Sequence, residues 1–117
     1  MTPRERGEHG AATVAALALT SLLLLVAVGC VVAVGIVLAH RRAQAAADLA
    51  ALAAAQALQH GADGCAAGRE VARAQQAALT GCVVDGEEVM VVATVRGPHL
   101  PGGAPELSAR ARAGPGP

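Results

Sequence analysis

Of the 117 residues, one uncharged apolar run takes 29, leaving 88 for everything else, which is room for one minimal domain. There is no Phe, Tyr or Trp, and outside the run the apolar residues are mostly Ala and Val, which bury little area each. This argues against a free-standing enzyme. Nine Arg balance nine acidic residues for a net charge of zero, so no basic surface of the kind nucleic acid requires is available.

Residues 1–10 form a short polar head carrying Arg4 and Arg6, a cytoplasmic segment or leader too small to fold alone. Ala11 to Ala39 follow, with Thr13, Thr20 and Ser21 as the polar side chains. As a helix this run spans ~43 Å, against ~30 Å for a hydrocarbon core. It is also about twice the usual apolar length of a cleaved signal peptide, about 7–15 residues, so a retained transmembrane helix is expected over residues 11–39. His40, Arg41 and Arg42 flank its far end, and counting charges on the two sides does not decide orientation. Cys30 reads as a small apolar residue within the run. Small residues such as Gly29 and Ala33 permit close approach of another helix.

Residues 40–60 contain no Pro or Gly and are rich in Ala, Leu and Gln, so the helix is expected to continue outward to His60 and to stop at Gly61. Arg41, Gln44 and Asp48 share one face; Ala45, Leu49, Leu52 and Gln56 share another. An apolar face built of small residues suits packing against copies of the chain or against partner helices. Asp48 reads most simply as a solvated helix charge beside Arg41 and Gln44.

Residues 61–117 are expected to form a small α+β region. Gly61, Asp63 and Gly64 mark a turn, and Ala66 to Leu79 carries helical spacing that ends at Gly81. Cys65 and Cys82 bracket that second helix. A bridge between them would close a loop of 16 residues and contribute about 3 kcal/mol on the entropic model, whereas a straight helix between them would hold them ~20 Å apart. Two readings stay open: a disulfide, with one cysteine on a segment that folds back, or two buried thiols. A zinc site from His60, Cys65, Cys82 and His99 lacks any ligand spacing that supports it.

The β signal begins after Cys82. Asp85-Gly86 is a preferred two-residue turn, and Val89 to Val95 is rich in β-branched residues, so a hairpin is expected from Cys82 to Arg96. With Val89, Val91, Ala93 and Val95 on one side and Met90 and Val92 on the other, the second strand should be covered on both sides or lie centrally. Beyond a Pro/Gly-rich loop, Leu107, Ala109 and Ala111 alternate with Ser108, Arg110 and Arg112, which suits a third, half-exposed strand ahead of a frayed GPGP end. Arg110 and Arg112 read as solvated strand charges, and Glu87 and Glu88 as the polar end of the hairpin. No nucleophile with a base, paired carboxylates, phosphate loop or metal cluster stands at a productive spacing, so no catalytic, cofactor or metal site is assigned.

Two stretches carry a resemblance: RGEHGAATVAALAL at Arg6 to Leu19 and RAQAAADLAALAAAQAL at Arg42 to Leu58. Together they resemble the TadE/TadG-like proteins of tight-adherence (Flp-type) pilus assembly, in particular short actinobacterial members found near helicase and secretion genes. The resemblance implies a pilin-like, membrane-anchored α+β protein whose long helix meets other pilus or secretion subunits, with Asp48, Leu49 and Leu52 in the assembly block. It also implies peptidase processing between Gly10 and Ala11, although Ala15 stands where such pseudopilins carry a glutamate. The function expected is a non-enzymatic assembly or structural component in the cell membrane, single-pass, with its C-terminal region outside the cytoplasm and homo-oligomerisation open to it. The alternative is a membrane-tethered binding module with a small disulfide-closed domain.

Overall fold

A computed structural model describes residues 3–115, with side chains from Gly10 to Pro115. The chain forms α1 (Pro3–Gln59), α2 (Gly64–Ala74) and then β1 (Ala78–Asp85), β2 (Glu88–Arg96) and β3 (Glu106–Ala113). The sheet is antiparallel throughout, in the order β1-β2-β3. This is the α+β architecture expected, with three strands and the valine-rich one in the centre. The frayed end read at Gly114 to Pro117 falls partly on residues 116–117, which lie outside the described residues, as do Met1 and Thr2 of the head.

The chain divides into two compact units, Met1–Val34 and Gly35–Pro117. In the first, the described residues are helical and present bulky apolar side chains outward; Leu25 is 73% exposed. After Pro3 no Pro interrupts this stretch, and Thr20 returns its hydroxyl to the Ala16 carbonyl at 2.8 Å, so its polar group is satisfied within the helix.

The second unit is built on the opposite choice of residue. Ala39, Ala43, Ala46, Ala47, Ala50 and Ala54 are almost wholly buried and share one cluster with Val89, Val91, Ala93 and Val95 of β2 and Ala109 of β3. Alanine contributes little area to burial, but it lets the helix backbone come close to the sheet. The small-residue face anticipated as a surface for partners is therefore occupied by the chain's own sheet, and it consists of these alanines, not of Ala45, Leu49, Leu52 and Gln56, which lie outside it.

α1 ends as its sequence suggests. Gly61 adopts φ +75°, its N–H donates to Leu58 O at 3.0 Å and the Ala62 N–H donates to Ala57 O at 2.8 Å, the paired bonds of a Schellman cap. Asp63 then caps α2, its Oδ1 accepting from the Ala66 N–H at 3.2 Å. α2 lies close against α1 because Gly64 and Gly68, one turn apart, are buried: a Cβ would stand 2.9 Å from Ala54 O at position 64 and 3.2 Å from Ala50 O at position 68.

Two boundaries differ from expectation. α2 stops at Ala74, not near Gly81, because Gln76 takes φ +60° and a second Schellman pair forms, Gln76 N–H to Arg73 O and Ala77 N–H to Ala72 O. The residues Ala78 to Gly81 are drawn into β1, where pairing with Ala93 and Thr94 outweighs their helix propensity. The hairpin loop is Gly86-Glu87, one residue later than expected: Asp85 pairs with Glu88, and Gly86 at φ +63° sits at the first central position, the place of glycine in a II′ turn.

Candidate functional site

The early end of α2 settles the two cysteine readings. The chain reverses at residues 75–77 and β1 runs back along α2, so Cys82 on the core face of β1 returns to Cys65 in the first turn of α2. They form a disulfide with Cα atoms 5.9 Å apart. The helix never spans the two cysteines, which removes the ~20 Å separation that stood against a bridge. With both sulfurs bonded to each other, His60, Cys65, Cys82 and His99 have no thiolate to offer zinc. His60 Nδ1 lies 2.7 Å from Gln56 O, within its own helix end.

Asp48, Leu49 and Leu52 are all on the outward side of α1. Leu49 is 43% and Leu52 54% exposed, whereas the neighbouring Ala50 and Ala51 are buried. Asp48 accepts a hydrogen bond from Gln44 Nε2 at 3.1 Å, and the same amide nitrogen donates to the Arg110 carbonyl of β3 at 3.3 Å. Asp48 thus orients the side chain that ties the helix to an edge strand. Sequence reading placed Gln44 beside Asp48 but had no signal for its reach to residue 110. Gly64 and Gly68 were missed as a packing pair, though the GCAAG spacing marks them.

Gly10 and Ala11 lie within the helix and are exposed, and a Cβ at position 10 meets nothing within 4 Å. Cys30 is a free, exposed cysteine on the apolar stretch.

On the sheet face turned away from the helices, hydroxyls form a row across all three strands: Thr80 Oγ1 to Thr94 Oγ1 at 2.9 Å and Thr94 Oγ1 to Ser108 Oγ at 3.1 Å. They are engaged with each other. An open pocket of about 420 Å³ at the hairpin end is bordered by Asp85, Glu87, Glu88 and Arg112, with Arg112 Nε 3.2 Å from Glu88 Oε1. Both side chains of that pair are exposed, so it contributes at most about 1 kcal/mol. Among the described residues no group of three His, Cys, Asp or Glu is placed to hold a metal ion.

What distinguishes this chain is thus its long helix, apolar outside in one unit and alanine-paved in the other. The family model described as "Putative Flp pilus-assembly TadE/G-like" matches residues 10–57. The TadE/G-like match begins at Gly10 and ends two residues short of the end of α1, so it bears out the resemblance carried by the two helical stretches and leaves α2 and the sheet outside it. No curated protein and no solved structure matches the chain. The helix over Gly10–Gln59 is long and apolar enough to cross a membrane.

Proposed function

We propose that this chain is a non-enzymatic, single-pass membrane subunit of a Flp-type pilus or a related secretion system, acting in assembly or as a structural, pseudopilin-like component. The observation that carries this reading is the coincidence of the TadE/G-like match with the helix that is apolar enough to span a bilayer. The exposed Leu and Val side chains of residues 11–34 are each more than half exposed, and lipid or neighbouring helices would cover them. The Cys65–Cys82 bridge favours an oxidising compartment, and so favours a C-terminal region outside the cytoplasm of a cell whose inner membrane holds the helix.

In this reading Leu49 and Leu52, with Asp48 beside them, are the surface offered to other subunits or to a second copy, because the alanine face is already taken. Processing between Gly10 and Ala11 belongs to the same proposal. The test is co-purification from detergent-extracted membranes with the secretion ATPase and its membrane platform. Association lost on replacing Leu49 and Leu52 by polar residues supports the assembly role; a chain that never co-purifies with the apparatus sinks it. Intact mass of the extracted protein reports processing in the same preparation, as a species beginning at Ala11 or one retaining the head.

The second reading, a tethered binding module, is favoured by the compactness of the unit Gly35–Pro117, which has its own core and its own disulfide. Ligand binding by the extracytoplasmic region in cells lacking the pilus apparatus would favour it over the first.

A further inference from the structure

Five residues of the apolar run, Gly35 to Ala39, belong to the second unit, and a loop of the sheet packs on them. The loop after β2 brings Pro98 against Gly35, where a Cβ would meet Pro98 Cγ at 3.2 Å. Beside this contact lies an open pocket of about 230 Å³ whose lining includes Gly35, Leu38, Ala39 and Pro98 together with Arg42 and Arg96. Both arginines are exposed, and among the described residues neither guanidinium has a hydrogen-bond or ion-pair partner. Glu106 stands opposite Arg96 in the β2–β3 register without forming a salt bridge to it. The lining therefore combines acyl-compatible carbons with two unpaired planar cations suited to phosphate oxygens. It falls where the uncharged run gives way to His40, Arg41 and Arg42.

We propose that this pocket binds the phosphodiester headgroup of an anionic phospholipid, with Arg42 and Arg96 holding the phosphate and Leu38, Ala39 and Pro98 lying against the upper acyl or glycerol carbons. The proposal rests on the membrane reading above. In it, the lipid is a ligand of stated charge, not only a solvent for the helix. One cation near an anionic surface gives about a fivefold preference, and two converging on a single headgroup give more.

The test uses the full chain in mixed micelles of phosphatidylglycerol and phosphatidylcholine, with retained lipid read by native mass spectrometry. Phosphatidylglycerol is expected to be retained at least about fivefold over phosphatidylcholine. The preference should fall to near unity in Arg42→Gln/Arg96→Gln, persist in Arg73→Gln/Arg110→Gln, and return in part with lysine at 42 and 96. Retention of the Cys65–Cys82 bridge, also read from the mass, shows that each variant has folded; single Arg42→Gln and Arg96→Gln variants serve if the double one has not. Excess inorganic phosphate should leave the lipid in place. Displacement of the lipid by inorganic phosphate overturns the lipid assignment in favour of a free phosphate ligand, and equal retention of both lipids, or loss of preference only in the control variant, overturns the site. An alkaline wash of native membranes separates the two readings. A chain that stays in the membrane without headgroup preference removes this site alone, whereas a chain that washes off removes the anchor reading and this site with it.

Discussion

The two stretches of α1 use helix-forming apolar residues to opposite ends. Between Ala11 and Val34 the large side chains other than Val32 point outward and remain exposed; between Ala39 and Ala54 the buried positions are alanines, and the large Leu49 and Leu52 are the ones left outside. A helix that closes on its own sheet is selected for small residues at the contact, while one that must be covered by lipid or by other chains carries its bulk on its surface. Hydrophobicity alone therefore does not say which side of a helix faces the core; side-chain size against the distance to the neighbouring backbone does.

The largest effect on the second unit is expected from Cys65→Ser/Cys82→Ser. An alanine-paved core has little burial to spare, so losing the bridge should cost about 2–4 kcal/mol, seen as a lower denaturant midpoint of the detergent-solubilised chain relative to wild type. Next comes the pair of neighbours that state the comparison most sharply. Ala50→Leu inserts bulk where α1, α2 and the sheet meet, with Gly68 packed on the Ala50 carbonyl, and should cost about 1–3 kcal/mol or more. Leu49→Ala, one position away, should change stability by less than about 0.5 kcal/mol, because that side chain is 43% exposed. Equal losses at the two positions would break the comparison.

Smaller still, and of opposite sign, is Gln76→Gly. Gln76 holds a left-handed conformation that glycine adopts without steric cost, so the substitution should stabilise the unit by up to about 1 kcal/mol. That residue also explains the main boundary missed in the sequence. The helix end at Gly61 was legible because glycine marks the left-handed position; the end of α2 was not, because a glutamine occupies it and the Ala77-Ala78-Leu79 stretch that follows reads as more helix. The central position of β2 was legible from its valines on both faces. The hairpin loop was displaced by one residue because Asp-Gly and Gly-Glu both satisfy a two-residue turn, and the choice between them depends on cross-strand register. The inward face of α1 was not legible, since an alanine-rich helix offers small residues on every side and the sheet that selects one face is distant in sequence. Of the proposed surface, Asp48, Leu49 and Leu52 came from resemblance, and their exposure came from the structure.

The most direct test of the account is membrane partition of the full-length protein. Fractionation followed by an alkaline wash should leave the chain, with or without its first ten residues, in the membrane pellet until detergent is added. Recovery of the chain in the aqueous fraction without detergent, its apolar stretch still attached, would contradict the central claim that those exposed leucines and valines are covered by lipid.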